Sequence, residues 1–265
     1  FYGNGLVSLG SGTTTIQRTN TLGGTQGWTV ANLVLGNGST VGTTTPGSTA
    51  TTTIGGRLTI QTGHYLDAGA SAFNFSGTGT VFVENGTFLQ DTSRVRYSGT
   101  GATNILSTTY YDLDLKAAGG SPTYTAVGSG IAVSNNLTVG GPNTTTVNFT
   151  TNDSPLDVNG NMTIASNGTF VASNSAVLTI GGSYDNNGTF THSSGTITFD
   201  GGSSPTIAAG TSWFNNTVIN GAGNFTVSEH ATSAAAFTLT TATSFTLSSG
   251  QTLAVGGSFT NCRLY

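Results

Sequence analysis

The sequence is built from short apolar strands that recur between turns rich in glycine and asparagine. The tetrapeptide Asn-Gly-Thr-Phe occurs at 85–88, 167–170 and 187–190, and its last two copies are twenty residues apart. A related apolar triplet recurs as LTI at 58–60, LTV at 137–139, MTI at 162–164 and LTI at 178–180. Because fixed repeats of this length are typical of stacked architectures, we expect an extended all-β array.

A longer repeat appears when residues 85–115 are aligned with residues 187–218. In both copies Asn-Gly-Thr-Phe is followed by a strand of alternating apolar residues and then by a glycine turn. After a slip of one residue, YYDLDL at 110–115 matches WFNNTV at 213–218. The shared pattern is a turn, a short strand, a glycine turn, a second strand, an aromatic pair and a third strand.

Two architectures fit strands this short. One is a right-handed parallel β-solenoid (β-helix), in which each face of a coil contributes one strand and the coils stack about 4.8 Å apart. The other is a set of tandem β-sandwich domains, because Asn-Gly between alternating strands is also a strong hairpin signal. The unbroken repeat and the threonine-rich strands, which suit side-chain ladders between coils, favour the solenoid.

The repeat predicts one continuous rod over residues 1–265. Coils of roughly 20 residues give about 13 coils and a rod roughly 60 Å long at this spacing. The low-complexity segment 36–53, which contains Pro46, and the segment 117–130 are expected to be loop excursions from the rod.

Composition argues against several partners. Charged residues make up 6% of the chain, the net charge is −4, and only six lysines and arginines are present, so no basic surface for nucleic acid is expected. No apolar stretch is long enough to cross a bilayer as a helix, and no membrane insertion is expected. Nearly a third of the residues are threonine or serine, and there is a single cysteine. We therefore expect an extracellular or cell-surface protein.

The chemically active residue types do not form a convincing catalytic or metal site. Asp112, Asp114 and Lys116 resemble a carboxylate pair with a cation, but period-2 alternation turns the carboxylates outward and Tyr111, Leu113 and Leu115 inward. Asp153 and Asp157 are a candidate Ca²⁺ pair, yet Asp beside Asn, Pro and Gly is first of all a turn former. The three histidines are isolated at 64, 192 and 230. We expect no enzyme activity and no cofactor.

Aromatic residues offer the best candidate ligand contacts. Trp213-Phe214 and Tyr110-Tyr111 are adjacent pairs, and neighbouring residues on a strand face opposite sides. One member of each pair is therefore expected in the core and one on the surface. We take Tyr110, Tyr184 and Trp213 as candidate contacts to a surface glycan through ring stacking.

The stretch LTIGGSYDNNGTFTHSSGTITFDGGSSPTIAAGTSWFNNTVIN at 178–220 resembles the repeats of large secreted bacterial surface proteins. These are the β-helical adhesins, among them filamentous haemagglutinin and the autotransporter passengers. The resemblance covers 53–115 and 134–264 and rests on turns and strands. It implies extracellular display, adhesion or filament building, and it brings no catalytic residues.

The ends of the sequence carry strand-like apolar residues without a polar cap of the kind that terminates natural solenoids. We therefore expect contacts between copies of the chain at Phe1, Tyr2, Phe259, Leu264 and Tyr265. The leading hypothesis is a structural subunit of an extracellular filament or adhesive fibre that assembles by end-to-end β-stacking. The alternatives are a pilus subunit of β-sandwiches joined by a donor strand at residues 1–10, and a β-helix that binds or cleaves glycans.

Overall fold

A computed structural model describes residues 7–47 and 49–261, and all regular structure in these two ranges is β-strand. The strands are short because each one ends where the chain turns a corner of the solenoid. The first eleven are β1 (Val7–Ile16), β2 (Asn20–Leu22), β3 (Trp28–Leu35), β4 (Gly42–Pro46), β5 (Thr51–Ile54), β6 (Leu58–Ile60), β7 (His64–Asp67), β8 (Ala72–Phe75), β9 (Gly79–Thr80), β10 (Phe82–Glu84) and β11 (Thr87–Leu89).

The middle of the chain keeps the same strand length. Its strands are β12 (Arg94–Tyr97), β13 (Thr103–Leu106), β14 (Thr109–Tyr110), β15 (Asp112–Leu115), β16 (Thr123–Val127), β17 (Ile131–Val133), β18 (Leu137–Val139), β19 (Thr145–Asn148), β20 (Leu156–Val158), β21 (Met162–Ile164), β22 (Gly168–Val171) and β23 (Val177–Ile180). The last strands are β24 (Tyr184–Asn186), β25 (Thr189–Thr191), β26 (Thr196–Phe199), β27 (Thr206–Ala208), β28 (Asn216–Ile219), β29 (Asn224–Val227), β30 (Ala231–Ser233), β31 (Phe237–Leu239), β32 (Ser244–Leu247), β33 (Leu253–Val255) and β34 (Phe259–Asn261).

The strands stack as a parallel β-solenoid of about 12 turns, which is roughly 58 Å long at about 4.8 Å per turn. Most turns place one strand on each of three faces. Face 1 runs from β1 through β3, β5, β8, β12, β15, β18, β21, β24, β27 and β29 to β32. Face 2 contains β6, β10, β13, β16, β19, β22 and β25 and continues to β30 and β33, and face 3 contains β2, β4, β7, β11, β14, β17, β20, β23, β26, β28, β31 and β34.

The parallel solenoid is confirmed, and the β-sandwich alternative is wrong, because the described strand pairings are parallel throughout. Coil length varies more than the twenty residues expected. Arg94 pairs with Asp112, 18 residues later, whereas Leu137 pairs with Met162, 25 residues later. The extra residues form loops at the corners, so the ladder itself stays in register.

The two expected excursions are only partly loops. Segment 36–53 contributes β4 to face 3 and the start of β5 to face 1, and segment 117–130 contributes β16 to face 2. Their threonine-rich sequences fit strands whose alternate residues face solvent. Low complexity here reflects a polar outer surface on an ordinary coil.

The core is a continuous column inside the three faces, built by the alternation of buried and half-buried residues along each strand. Aromatic side chains fill much of this column. The rings of Phe149, Phe170, Phe190 and Phe214 follow one another through successive coils, with centroids 5.2, 6.0 and 5.7 Å apart. Such contacts add to the burial of apolar area, which is the main stabilising term.

Glycines at the corners allow the coils to approach closely. A β-carbon at Gly201 would lie 2.2 Å from the carbonyl oxygen of Gly181 in the coil below, and a β-carbon at Gly221 would lie 2.2 Å from that of Gly201. Only a residue without a β-carbon fits this stack. Gly181-Gly182 lies at a corner, between β23 and β24, in agreement with the glycine-rich turns that the sequence predicts.

Polar side chains tie the corner between faces 3 and 1 together. The backbone N–H of Asn161 donates to Asn136 Oδ1 at 3.0 Å, that of Ser183 donates to Asn161 Oδ1 at 2.8 Å, and that of Thr206 donates to Ser183 Oγ at 3.0 Å. Each side chain thus satisfies a backbone donor in the next coil. Because each of these hydrogen bonds joins one coil to the next, the series accounts for the asparagine and serine at these turns.

Candidate functional site

The structure divides the three candidate glycan-contact residues between core and surface. Tyr110 and Tyr184 are fully buried, whereas the side chain of Trp213 is 60% exposed. The prediction that Tyr110 and Tyr184 contact a ligand is therefore wrong, because both rings belong to the aromatic column of the core. The prediction that one residue of the Trp213-Phe214 pair is exposed and the other buried is confirmed, since Phe214 is only 2% exposed.

In the Tyr110-Tyr111 pair the prediction that Tyr110 faces outward is wrong. Tyr111 is half-buried at the corner before β15, and the first residue of the pair fills the core. A corner between the two strands resets the alternation, so Tyr111 does not point inward with Leu113 and Leu115. Both leucines are buried as predicted.

Tyr110 takes part in a closed hydrogen-bond network with Tyr97 and the backbone of Leu106. Its hydroxyl donates to the Leu106 carbonyl oxygen at 2.9 Å, the Leu106 N–H donates to Tyr97 Oη at 3.3 Å, and the two hydroxyl oxygens are 2.9 Å apart. Because the Tyr110 hydroxyl donates its proton to the Leu106 carbonyl oxygen, the Tyr97 hydroxyl is the donor in the hydrogen bond between the two tyrosines. Burial raises the pKa of Tyr97 to about 12 and holds the pKa of Tyr110 well above its ordinary value. The network is structural.

The carboxylates of Asp112 and Asp114, which the sequence offered as a candidate pair, interact with neighbouring residues. Asp112 accepts from Asn135 Nδ2 at 2.9 Å and from the Asn136 N–H at 3.1 Å, and Asp114 pairs with Lys116 Nζ at 2.9 Å. These carboxylates lie on the outer side of face 1, as the alternation predicts. They stabilise the neighbouring coil and do not converge on a pocket.

Asp153 caps the following coil. Its carboxylate accepts from the hydroxyls of Ser173 and Ser175, and from the backbone N–H groups of Asn174 at 2.7 Å and Ser175 at 3.0 Å. The Ser173 and Ser175 hydroxyl hydrogen bonds lower the pKa of Asp153 well below its usual range. Asp157 is exposed on β20, outside this cap. The two carboxylates therefore serve different coils rather than a shared cation.

The three histidines lie apart from one another. His64 is buried in face 3, with Nε2 2.8 Å from Thr44 Oγ1, and burial lowers its pKa. The Nδ1 atom of His230 is 2.9 Å from Thr252 Oγ1 in the next coil. His192 lies beside Trp213 in a shallow groove of about 360 Å³ on face 2. Sequence reasoning missed this last proximity, because the two residues are in different coils.

Two surfaces of the described chain stand out as candidate sites. One is the groove formed by Trp213 and His192 with the threonines around them. The other is the last coil, where Phe259 is 57% exposed and stacks on Phe237 with ring centroids 5.5 Å apart and planes 9° apart. The other expected subunit contacts, Phe1, Tyr2, Leu264 and Tyr265, lie outside the described residues.

Over residues 7–47 and 49–261 the chain has no helix that is long and apolar enough to cross a bilayer. The same residues contain no group of three or more His, Cys, Asp or Glu side chains placed to hold a metal ion. No protein-family model, curated protein or solved structure matches this chain.

Proposed function

We propose that the chain is a structural rod of an extracellular filament or surface fibre, in which copies stack end to end and continue the parallel ladder. The observation that carries this proposal is the strand edge of the last coil that the structure describes. Among the described residues, β32, β33 and β34 are each the final strand of their sheet. Strand edges of this kind present N–H and C=O groups in the arrangement that the next coil would pair with.

Within residues 7–47 and 49–261, several apolar side chains of this coil are only partly covered. Phe259 is 57% exposed and Leu247 is 38% exposed, although equivalent positions in the preceding coils are buried. Phe245, Leu253 and Val255 are only partly buried against the core. A further coil would remove this apolar area from water, at roughly 25 cal/mol for each Å² buried.

End-to-end contact between copies would be heterologous, because all strands point the same way and the two ends of the rod differ. A heterologous contact that does not close on itself gives an open filament. The donor-strand alternative requires β-sandwich subunits, and this chain is a solenoid. A filament built by β-stacking is therefore the assembly that the fold favours.

An extracellular location is part of the proposal. It is supported by the 6% content of charged residues, by the threonine-rich outer surface and by the resemblance to β-helical adhesins. Biotinylation of intact source cells with a membrane-impermeant reagent tests it. Labelling of the protein is the expected result, and labelling only after lysis would contradict this location.

The test of assembly compares the wild-type chain with Phe259→Asp at rising concentration, by sedimentation velocity and negative-stain microscopy. We expect the wild type to form rods whose lengths are multiples of roughly 60 Å, and Phe259→Asp to remain at single-rod length, because a carboxylate in the contact would be buried without a partner. The matched control is Val177→Asp, at a position that is 41% exposed on the side of face 3. Single rods for the wild type at high concentration, or equal assembly of Phe259→Asp, would overturn the proposal.

A further inference from the structure

The face 2 ladder is interrupted at one coil. From β13 to β25 successive strands of this face pair in parallel, and Thr169, Phe170 and Val171 of β22 lie opposite Thr189, Phe190 and Thr191 of β25. β25 is the last strand of that sheet. In the next coil the only described bridge on this face is a single parallel one from Phe214 onward to Ser233.

A side chain replaces the missing strand on the open side of β25. The backbone N–H of Phe190 donates to Ser212 Oγ at 2.9 Å, and not to a backbone carbonyl of the next coil. Residues 211–213 therefore leave the sheet, and Phe214 returns to fill the core. The interruption opens the shallow groove described above, between β25 and this displaced segment.

Trp213 forms one wall of the groove and is 60% exposed. An indole presents a large apolar face with a single polar group, and such side chains typically supply the flat contact surface of a binding site. The buried ring of Phe190 lies beneath the floor. An exposed tryptophan at the coil where the face 2 ladder stops at β25 singles out this position.

The polar groups around the indole are hydroxyls and one imidazole. The Nδ1 atom of His192 is 2.5 Å from the carbonyl oxygen of Ser193 and must donate to it, which leaves Nε2 of the neutral ring as an acceptor. The Ser212 hydroxyl accepts from Phe190, so its own proton is available as a donor. Hydroxyls of Thr189, Thr191 and Thr211 complete the lining, and no carboxylate, ammonium or guanidinium group is among the lining residues.

A row of threonines leads along face 2 to the groove. Thr123, Thr146, Thr169 and Thr189 occupy matching positions in successive coils, and all four side chains reach the surface. Their spacing follows the strand separation of about 4.8 Å. The row provides hydroxyl groups at regular intervals along the path that an extended polymer would take.

We propose that this groove binds a neutral polysaccharide, with Trp213 stacked on one sugar ring and with His192 Nε2 and the Ser212 hydroxyl bonded to sugar hydroxyl groups. A flat apolar ring face surrounded by neutral donors and acceptors matches a pyranose, and the absence of charge in the lining disfavours an anionic chain. The inference does not rest on end-to-end assembly, because Trp213 lies on the side of the rod.

The test is isothermal titration calorimetry of the full chain with hexasaccharides of β-1,4-linked glucose, xylose, mannose and N-acetylglucosamine, and with hexagalacturonate as an anionic probe. We expect at least one neutral hexasaccharide to bind. Trp213→Ala should weaken this binding at least tenfold, and His192→Ala should weaken it severalfold. Val177→Ala, at an exposed position on face 3, is the matched control and should bind like the wild type.

Acrylamide quenching provides a second readout. Trp28 is 3% exposed, so the quenchable fluorescence belongs to Trp213, and a bound sugar should protect it. Binding of hexagalacturonate alone, binding that Trp213→Ala leaves unchanged, or no binding of any neutral hexasaccharide would overturn the proposal. A change in the sedimentation of sugar-free Trp213→Ala would also overturn it, because it would assign the groove to contacts between protein chains.

Discussion

Replacing Gly201 with alanine probes the close approach of the coils directly. The new β-carbon would lie 2.2 Å from the carbonyl oxygen of Gly181, and an ordinary contact is at least 3.4 Å, so the two coils must separate locally by about 1.2 Å. That movement would break the hydrogen bond from the Asp200 N–H to the Ile180 oxygen, which joins the same two coils and is now 3.1 Å long.

The lost hydrogen bond costs about 1 kcal/mol, and overpacking costs about 1–3 kcal/mol. We therefore expect Gly201→Ala to lower the free energy of unfolding by roughly 2–4 kcal/mol. This corresponds to a fall in the melting temperature of roughly 4–16 °C, at about 2–4 °C per kcal/mol.

The neighbouring residue supplies the matched control for this experiment. A β-carbon at Gly202 would have no atom within 4 Å, and its φ does not lie in the left-handed region. Gly202→Ala should leave stability unchanged or raise it by about 0.4–1 kcal/mol, because the unfolded chain loses freedom. Thermal and urea denaturation followed by circular dichroism measures both variants. Equal stability of the two variants would refute the argument that glycine at this corner is required by coil contact.

Two further predictions concern buried and capping polar groups. Tyr110→Phe removes the acceptor of the Tyr97 hydroxyl proton and the hydroxyl that donates to the Leu106 carbonyl, so we expect destabilisation by about 2 kcal/mol in urea denaturation; an unchanged midpoint would show that the network contributes nothing. Asp153→Asn should lower the melting temperature at pH 7, because the native pKa of Asp153 is depressed and its stabilising effect is complete above the unfolded pKa of about 3.9. As the pH falls below that value towards the native pKa, the difference between variant and wild type should shrink, and a constant difference would contradict this assignment.

Much of the architecture could be predicted from the sequence because it depends on local rules. The alternating strand after the last Asn-Gly-Thr-Phe copy has Ile197 and Phe199 in the core, and the turns rich in glycine and asparagine lie at corners, as Asn187-Gly188 and Gly181-Gly182 do. The parallel pairing also followed from the unbroken repeat. These features need only the two-residue period of a strand and the turn preferences of glycine and asparagine.

The assignment of strands to faces could not be predicted from the repeat. Phe88 and Phe190 end matching Asn-Gly-Thr-Phe turns, but the first lies on face 3 and the second on face 2. The same strand and turn pattern can form any of the three faces, because the strands of every face have one buried and one exposed side. Sequence similarity between copies therefore fixes the strand but not its position in the coil.

The groove at Trp213 depends on an interrupted ladder, and local propensity does not reveal it. The one-residue slip between WFNNTV and YYDLDL is no signal for it, because the two segments lie on different faces. The proximity of Trp213 to His192 depends on how consecutive coils stack. The Tyr110 prediction failed because the corner between β14 and β15 resets which residue of the pair faces inward, and the Tyr184 prediction failed because this residue begins β24 on the buried side.

Diffraction from aligned fibres of the assembled protein tests the central claim most directly. A solenoid that stacks end to end places its strands perpendicular to the filament axis, so we predict a reflection at 4.7–4.8 Å along that axis. The same reflection perpendicular to the axis, which means strands running along the filament, would contradict the proposed assembly.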